Sequence, residues 1–298
     1  MKTTARHFTL YGNIGLVQLR TEPEGMFKFK SGGPELKTKG LVITESNENG
    51  VVGKLTAINT TDSFLLLTDA DVLIGAKQNR ILNKSILLAP GTKTIVDVSC
   101  IERLRWKYAD RNFTSPETAA DPDIRKAKAS SMSFRKTEEG AREMNTQSTV
   151  WSHIRQQLEN ENLQEETESY QGIIRYKIAQ SKPYPECHPE NECNGIAVVA
   201  DGKVQCIDLF GSREVYRYYF PLLRDSAFRT ANPEANPVDM HEAYYRVLET
   251  LDNFEEAARK EDLSYTGAGK MNIAEDDSLI GFELGINGEA VHCSVFRK

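Results

Sequence analysis

Two short stretches hold most of the side chains that could do chemistry. Gly75-Ala76-Lys77-Gln78-Asn79-Arg80 sets an amide pair between two cations, among runs of Leu, Ile and Val. Ser99-Cys100-Ile101-Glu102-Arg103-Leu104-Arg105-Trp106 is the second dense polar cluster, at the exit of an apolar run. Gln and Asn amides each offer a donor and an acceptor, and Arg offers a planar fork of donors. Lys77, Gln78, Asn79, Arg80, Arg105 and Trp106 are therefore the candidates for binding a ligand that combines a base with a phosphate or carboxylate. Cys100 and Glu102 are the candidates for catalysis. Cys100 could be a nucleophile with its pKa lowered by Arg103 or Arg105, and Glu102 an acid or base.

Each of these has a plainer reading. Polar residues at strand ends mostly satisfy loop backbone. The pattern Val96, Val98, Cys100 puts the thiol on the apolar face of its strand, where it acts as a small hydrophobe. Glu102 can serve as an ion-pair partner of Arg80 or Arg105. Strand alternation places Gln78 with Arg80 on one face and Lys77 with Asn79 on the other. A hairpin turning at Pro90-Gly91 predicts Arg80 opposite Glu102, within ion-pair distance and near Trp106.

No further motif supplies an established mechanism. Cys187, His188 and Cys193 lack a fourth ligand and the usual spacing, so no metal is expected. His292-Cys293 falls in a strand. The serine-nucleophile, phosphate-loop and dinucleotide fingerprints are absent, and Gly267-Ala268-Gly269-Lys270 is too short to cradle a phosphate. No cofactor is expected. Asp208 stands at a strand end before a helix and suits a cap or a pocket wall.

The elements that must position these residues read as follows. Residues 8–30 are strands and turns. Leu41–Glu45, Val51–Asn59, Phe64–Leu67, Asp71–Ile74, Ile81–Leu88 and Thr94–Ile101 are closely spaced strands, with a hairpin signal at Asn49-Gly50. Residues 107–122 are a crossing loop and 123–144 weakly helical, interrupted at Gly140. Thr146 is placed to cap a helix with Val150, Trp151, Ile154 and Leu158 on one face, and Ser169–Gln180 forms another. Asp201-Gly202 and Asn287-Gly288 each turn a hairpin. Ser212 starts a helix containing Pro221. Asn236-Pro237-Val238-Asp239 starts a longer one, running to Glu261. The fold class is α+β: an N-terminal antiparallel β-sandwich, jelly-roll-like, then a helix-rich α+β half with two hairpins. The predicted division is 1–106 as a β-rich domain, 107–145 as a connecting segment and 146–298 as an α+β domain, or one integrated domain.

Bulk properties narrow the function. A chain of 298 residues with a net charge of −6 and mixed charge signs does not suit a nucleic-acid binder. No apolar run approaches a membrane span and no signal core follows Met1, so a cytoplasmic location without membrane contact is expected. Five scattered Cys fit reduced thiols. Oligomeric state is not legible.

Several of these residues together resemble a family. They are Leu55, Ala57 and Asn59, the Gly75–Arg80 stretch, Ser99-Cys100-Ile101-Glu102 with Arg105-Trp106, Gln147 with Val150-Trp151, the Gly195 strand with Asp208-Leu209-Phe210, and His292. The pattern is similar to a bacterial family of unknown function, the ARG and rhodanese-phosphatase-superfamily-associated protein domain, ARG standing for ADP-ribosylglycohydrolase. The likeness runs from about residue 36 to the end. Leu104 stands where the family usually has Gly. The resemblance implies a role beside ADP-ribose or nucleotide metabolism, and it implies no catalytic residues. The reading that follows is binding of an ADP-ribose-like or nucleotide metabolite. The alternatives are an enzyme acting on a phosphorylated or ADP-ribosyl substrate, and an assembly protein without a small-molecule ligand.

Overall fold

The computed structural model describes residues 2–47, 50–134 and 142–298, with the side chains of residues 142 and 143 left aside. Asn49 of the predicted turn, and Gly140, lie outside the described residues. In chain order the elements are β1 (Lys2–Tyr11), β2 (Ile14–Glu22), β3 (Lys30–Ser31), α1 (Gly32–Thr38), β4 (Leu41–Glu45), β5 (Lys54–Asn59), β6 (Leu65–Leu67), β7 (Val72–Gly75), β8 (Arg80–Leu82), β9 (Ile86–Leu88), β10 (Lys93–Cys100) and β11 (Phe113–Thr114). Then come α2 (Pro122–Ser131), α3 (Arg142–Asn160), α4 (Tyr170–Gln180), β12 (Gly195–Ala200), β13 (Lys203–Phe210), α5 (Arg213–Phe228), α6 (Met240–Glu256), β14 (Ala258–Glu261), β15 (Lys270–Glu275), β16 (Leu279–Ile286) and β17 (Glu289–Arg297). The chain is α+β, with a β-rich N-terminal half.

An eight-stranded antiparallel sheet has the order β1-β2-β12-β13-β17-β16-β15-β14. A six-stranded antiparallel sheet has the order β11-β7-β8-β10-β5-β4, and a bridge between Thr44 and Asn112 brings its two edges together into a near-barrel. A third sheet, β3-β6-β9, carries the parallel pair β3–β6. The sheets do not divide at residues 107–145. Residues 2–22 join the large sheet, where Gly195 pairs with Leu19 and Ala200 with Ile14. The driving force is legible in β2, whose Ile14, Leu16, Val17 and Leu19 are all buried, so the strand needs cover on both faces.

Both predicted hairpins of the second half form. Asp201 and Gly202 have φ of 51° and 71°, and Asn287 and Gly288 have 54° and 81°. Positive φ at both central residues gives the turn whose twist matches the flanking strands. Ser212 caps α5 by accepting from the Val215 amide, and Pro221 sits inside that helix.

Other boundaries differ from the pattern reading. Helix α6 begins at Met240, capped by Asp239, whose Oδ1 accepts the Glu242 amide at 2.9 Å. Ala257 is extended, and Ala258–Glu261 leaves the helix to pair with β15 as an edge strand. Thr146 lies inside α3 rather than at its start, where its hydroxyl meets that of Ser131 at 2.9 Å. The predicted strand Ile81–Leu88 is two strands in two sheets: β8 pairs with β10, and β9 leaves to pair with β6.

Candidate functional site

The Gly75–Arg80 stretch is a turn leading into β8, not a continuous strand. Gly75 has φ of 130° and Ala76 of 39°. A side chain at Gly75 would put its Cβ 2.5 Å from the Asn112 carbonyl oxygen, so only glycine fits. The Asn79 Oδ1 accepts the Gly75 amide at 3.1 Å and closes the loop. Gln78 Oε1 accepts from Arg80 Nη1 at 3.2 Å, while its Nε2 donates to the Arg103 carbonyl at 3.3 Å.

The second stretch leaves β10 at Cys100 and is pinned from outside. Arg103 and Leu104 amides both donate to the Thr167 carbonyl, and the Tyr170 amide donates to the Ile101 carbonyl at 2.8 Å. Gln147 of α3 acts as a substitute strand for Cys100: its Oε1 accepts the Cys100 amide at 2.7 Å and its Nε2 donates to the Cys100 carbonyl at 3.1 Å.

The ion pairs differ from the predicted one. Arg80 faces Cys100 in the β8–β10 register, two residues short of Glu102, because the break at Asn83–Ser85 removes the simple hairpin. Glu102 is instead paired with Arg105, at 2.7 Å from its Nη2 and 2.8 Å from its Nε, and also accepts the Asn79 amide at 3.2 Å. Burial alone would raise the Glu102 pKa. The hydrogen bonds from Arg105 and the Asn79 amide, with the Arg105 charge, outweigh it and hold the carboxyl below its usual range. Arg105 also donates to the carbonyls of Gly75, Ala76 and Lys107 and to Asn79 Oδ1. Arg105 and Glu102 thus lock the two stretches together.

Arg80 is different. It is 0% exposed, and its Nη1 reaches Gln78 Oε1 and the Asn79 carbonyl. Among the described residues its Nε and Nη2 have no hydrogen-bond partner. Among the described residues the nearest anion is Glu45 at the end of β4, whose Oε1 lies 3.8 Å from Nη2, beyond hydrogen-bond reach. Glu45 Oε2 is itself buried and has no partner among the described residues. Trp106, 47% exposed, lies over this group, with the Arg80 guanidinium carbon 5.9 Å from its ring. Lys77 Nζ stands 5.5 Å from the Trp106 ring and 5.1 Å from the Tyr108 ring. Cys100 is buried behind them, its thiol 3.7 Å from the Val52 carbonyl. Burial pushes that thiol up to about 11, against the lowering effect of the Arg80 charge. A neutral thiol is not poised as a nucleophile.

The structure therefore brings Lys77, Gln78, Asn79, Arg80, Cys100, Glu102, Arg105 and Trp106 into one corner of the near-barrel. Sequence reasoning missed Glu45 and Tyr108. Glu45 left a signal: strand alternation puts it with Leu41 and Ile43, and all three are buried.

A second charged cluster is completely enclosed between the two large sheets. Arg125 of α2 grips two carboxylates. It donates to Asp69 at 2.9 and 3.0 Å and to Asp208 of β13 at 2.9 and 2.6 Å. His292 of β17 lies 3.3 Å from Asp208 Oδ1 through Nε2, and its Nδ1 meets the Ser85 hydroxyl at 2.9 Å. Lys128, one helical turn after Arg125, donates to the Asp69 and Leu82 carbonyls. Burial lowers its pKa from 10.5 to about 7. Asp208 is neither a cap nor a pocket wall. In the predicted metal-poor loop, Cys187 meets the Thr9 hydroxyl at 3.1 Å and His188 Nε2 meets Glu186 at 2.9 Å.

A family model for the ARG and Rhodanese-Phosphatase-superfamily-associated Protein domain matches residues 2–296. The chain belongs to this family. The match takes in β1 and β2, so the domain of this family includes the N-terminal hairpin that completes the large sheet. No curated protein matches the chain, and no solved structure matches it. Within the described residues no helix is long and apolar enough to cross a membrane.

Proposed function

We propose that this member of the family binds an anionic metabolite carrying a flat ring, of the ADP-ribose or nucleotide kind, at the Lys77–Arg80–Trp106 corner. One observation carries the reading: a fully buried guanidinium with Nε and Nη2 lacking acceptors, directly beneath a half-exposed tryptophan. Buried polar groups are almost always hydrogen-bonded, and an unsatisfied cation is the costliest exception. A phosphate or carboxylate supplies acceptors in the bidentate geometry that Arg prefers. The faces of Trp106 and Tyr108 suit a base, and Lys77 between them adds a second positive charge. Ligand entry requires the Trp106 ring to move, since it covers Arg80. The neutral Cys100 thiol and the Glu102 carboxylate locked by Arg105 favour binding over catalysis at this corner.

Titration calorimetry with ADP-ribose, NAD and AMP, read alongside Trp fluorescence, tests this. Heat and a fluorescence change are expected with at least one of the three, and Trp106→Ala should weaken binding about tenfold or more, as for loss of one stacking platform. No heat from any of them at millimolar concentration overturns the reading and leaves Arg80 as an internal partner of Glu45.

A further inference from the structure

A second site lies at the other sheet, where β2, β13 and β17 end together. A cavity of about 590 Å³ opens there between the Pro23–Met26 segment and the start of β17. That volume is in the range that holds a small organic ligand. Its apolar wall comes from Leu209, Phe210 and Ala290.

The polar groups around it are one-sided. Neither Lys, Arg nor His lines it, and its two charged residues are Glu24 and Glu289. Glu24 is paired with Arg213 at 3.3 Å. Glu289 has no cationic partner among the described residues. Its Oε2 accepts the Met26 and Phe27 amides, which leaves Oε1 to meet a ligand. The amide and hydroxyl side chains that could donate are already committed, which leaves only the weak Cys293 thiol. Asn194 Nδ2 donates to the Thr21 and Phe210 carbonyls, and the Thr21 hydroxyl meets Thr3 at 3.0 Å. Oxygens also converge on one wall. A Cβ placed on Gly25 would lie 3.0 Å from Glu289 Oε2, 3.2 Å from the Gly211 carbonyl oxygen and 3.9 Å from that of Ala290.

An apolar cavity whose charged groups are both carboxylates, one of them without a cationic partner among the described residues, favours a donor-bearing cation over an anion. We infer that this cavity binds a small apolar molecule carrying an ammonium group, with the ammonium at Glu289 and the apolar body against Leu209 and Phe210. The anionic ligand of the Arg80 corner is of opposite charge and meets a different sheet, so the two sites stand or fall separately.

Calorimetry on the whole chain with 4-phenylbutylammonium, 4-phenylbutanol and 4-phenylbutyrate separates shape from charge. The ammonium should bind about tenfold tighter than the alcohol, as for one charge-assisted hydrogen bond gained, and the carboxylate weakest. Glu289→Gln keeps an acceptor for the Met26 and Phe27 amides and should bring the ammonium down to the alcohol's affinity. Met26→Lys changes a residue that is 80% exposed at the rim, so the fold is safe, and should weaken the ammonium while leaving the alcohol unchanged. Absence of binding by all three probes, equal affinity for ammonium and alcohol in the unaltered protein, or a preference surviving both substitutions overturns the inference.

Discussion

Arg80 and Arg125 are both buried, both begin or sit within regular elements, and both face carboxylates, yet they are bonded in opposite ways. Arg125 meets two carboxylates in planar forks, one from the loop after β6 and one from β13, so every edge of the guanidinium is occupied. Arg80 uses one nitrogen and leaves two without acceptors. The first arrangement is complete without any other molecule. It welds the near-barrel half to the eight-stranded sheet, because its two anions come from different sheets' surroundings. The second is incomplete, and that incompleteness is the observation on which the proposed anion site rests.

The comparison can be broken by mutation. Arg125→Met strands Asp69 and Asp208 as buried unpaired carboxylates, and a loss of about 3–5 kcal/mol is expected from urea unfolding. A loss under about 1 kcal/mol would mean that the weld holds nothing together. Arg80→Met removes fewer bonds and should cost less, about 1–3 kcal/mol, while abolishing binding of the anionic metabolite. If it cost as much as Arg125→Met with ligand binding intact, the contrast would collapse.

Titration sharpens the same comparison. Lys128 beside Arg125 has its folded pKa lowered from 10.5 to about 7, burial being the cause. Between these values the unfolded chain binds the extra proton and the folded one does not, so stability rises with pH through that window. Urea midpoints should therefore climb from about pH 7 towards 10 relative to a Lys128→Met variant, which lacks the titrating group. Asp208 works at the other end. Burial raises its pKa, but the Arg125 charge and the hydrogen bonds of Arg125 and His292 together outweigh it and lower it to about 2. Its contribution is present above the ordinary carboxylate range and is lost as pH falls towards 2, so Asp208→Asn should flatten the acid limb of the stability curve. The smallest effect belongs to Lys77→Met, which should change stability by no more than about 0.5 kcal/mol while weakening the anionic ligand.

How much of this was legible in the sequence depended on the range of the interactions. The Asp201-Gly202 and Asn287-Gly288 turns were readable because their chemistry lies within two residues. The two polar stretches were readable as neighbours in space because their strands lie close together along the chain. The predicted Arg80–Glu102 pair does not form, since the strand between them breaks where the Ser85 hydroxyl turns to His292 and the Asn83 side chain accepts from Ser99. Arg125 and Lys128 lay in a segment that looked like a basic, weakly helical connection. Nothing local shows that they face inward, because their partners come from Asp69, Leu82 and Asp208. The pairing of β2 with β12 was hidden for the same reason.

That pairing has a consequence for how the chain is made. β2 leaves the ribosome well before β12, with Ile14, Leu16, Val17 and Leu19 all destined for burial. Its partner β12 has not been translated at that point. At about 5–20 residues per second, roughly 10–35 s pass before Gly195–Ala200 emerges to cover it. Through that interval the β12-facing edge of β2 has no partner, although β1 can pair with its other edge. The β2–β12 pairing cannot form until Gly195–Ala200 is made, so arrested nascent chains ending before Gly195 should leave the β1–β2 segment sensitive to protease.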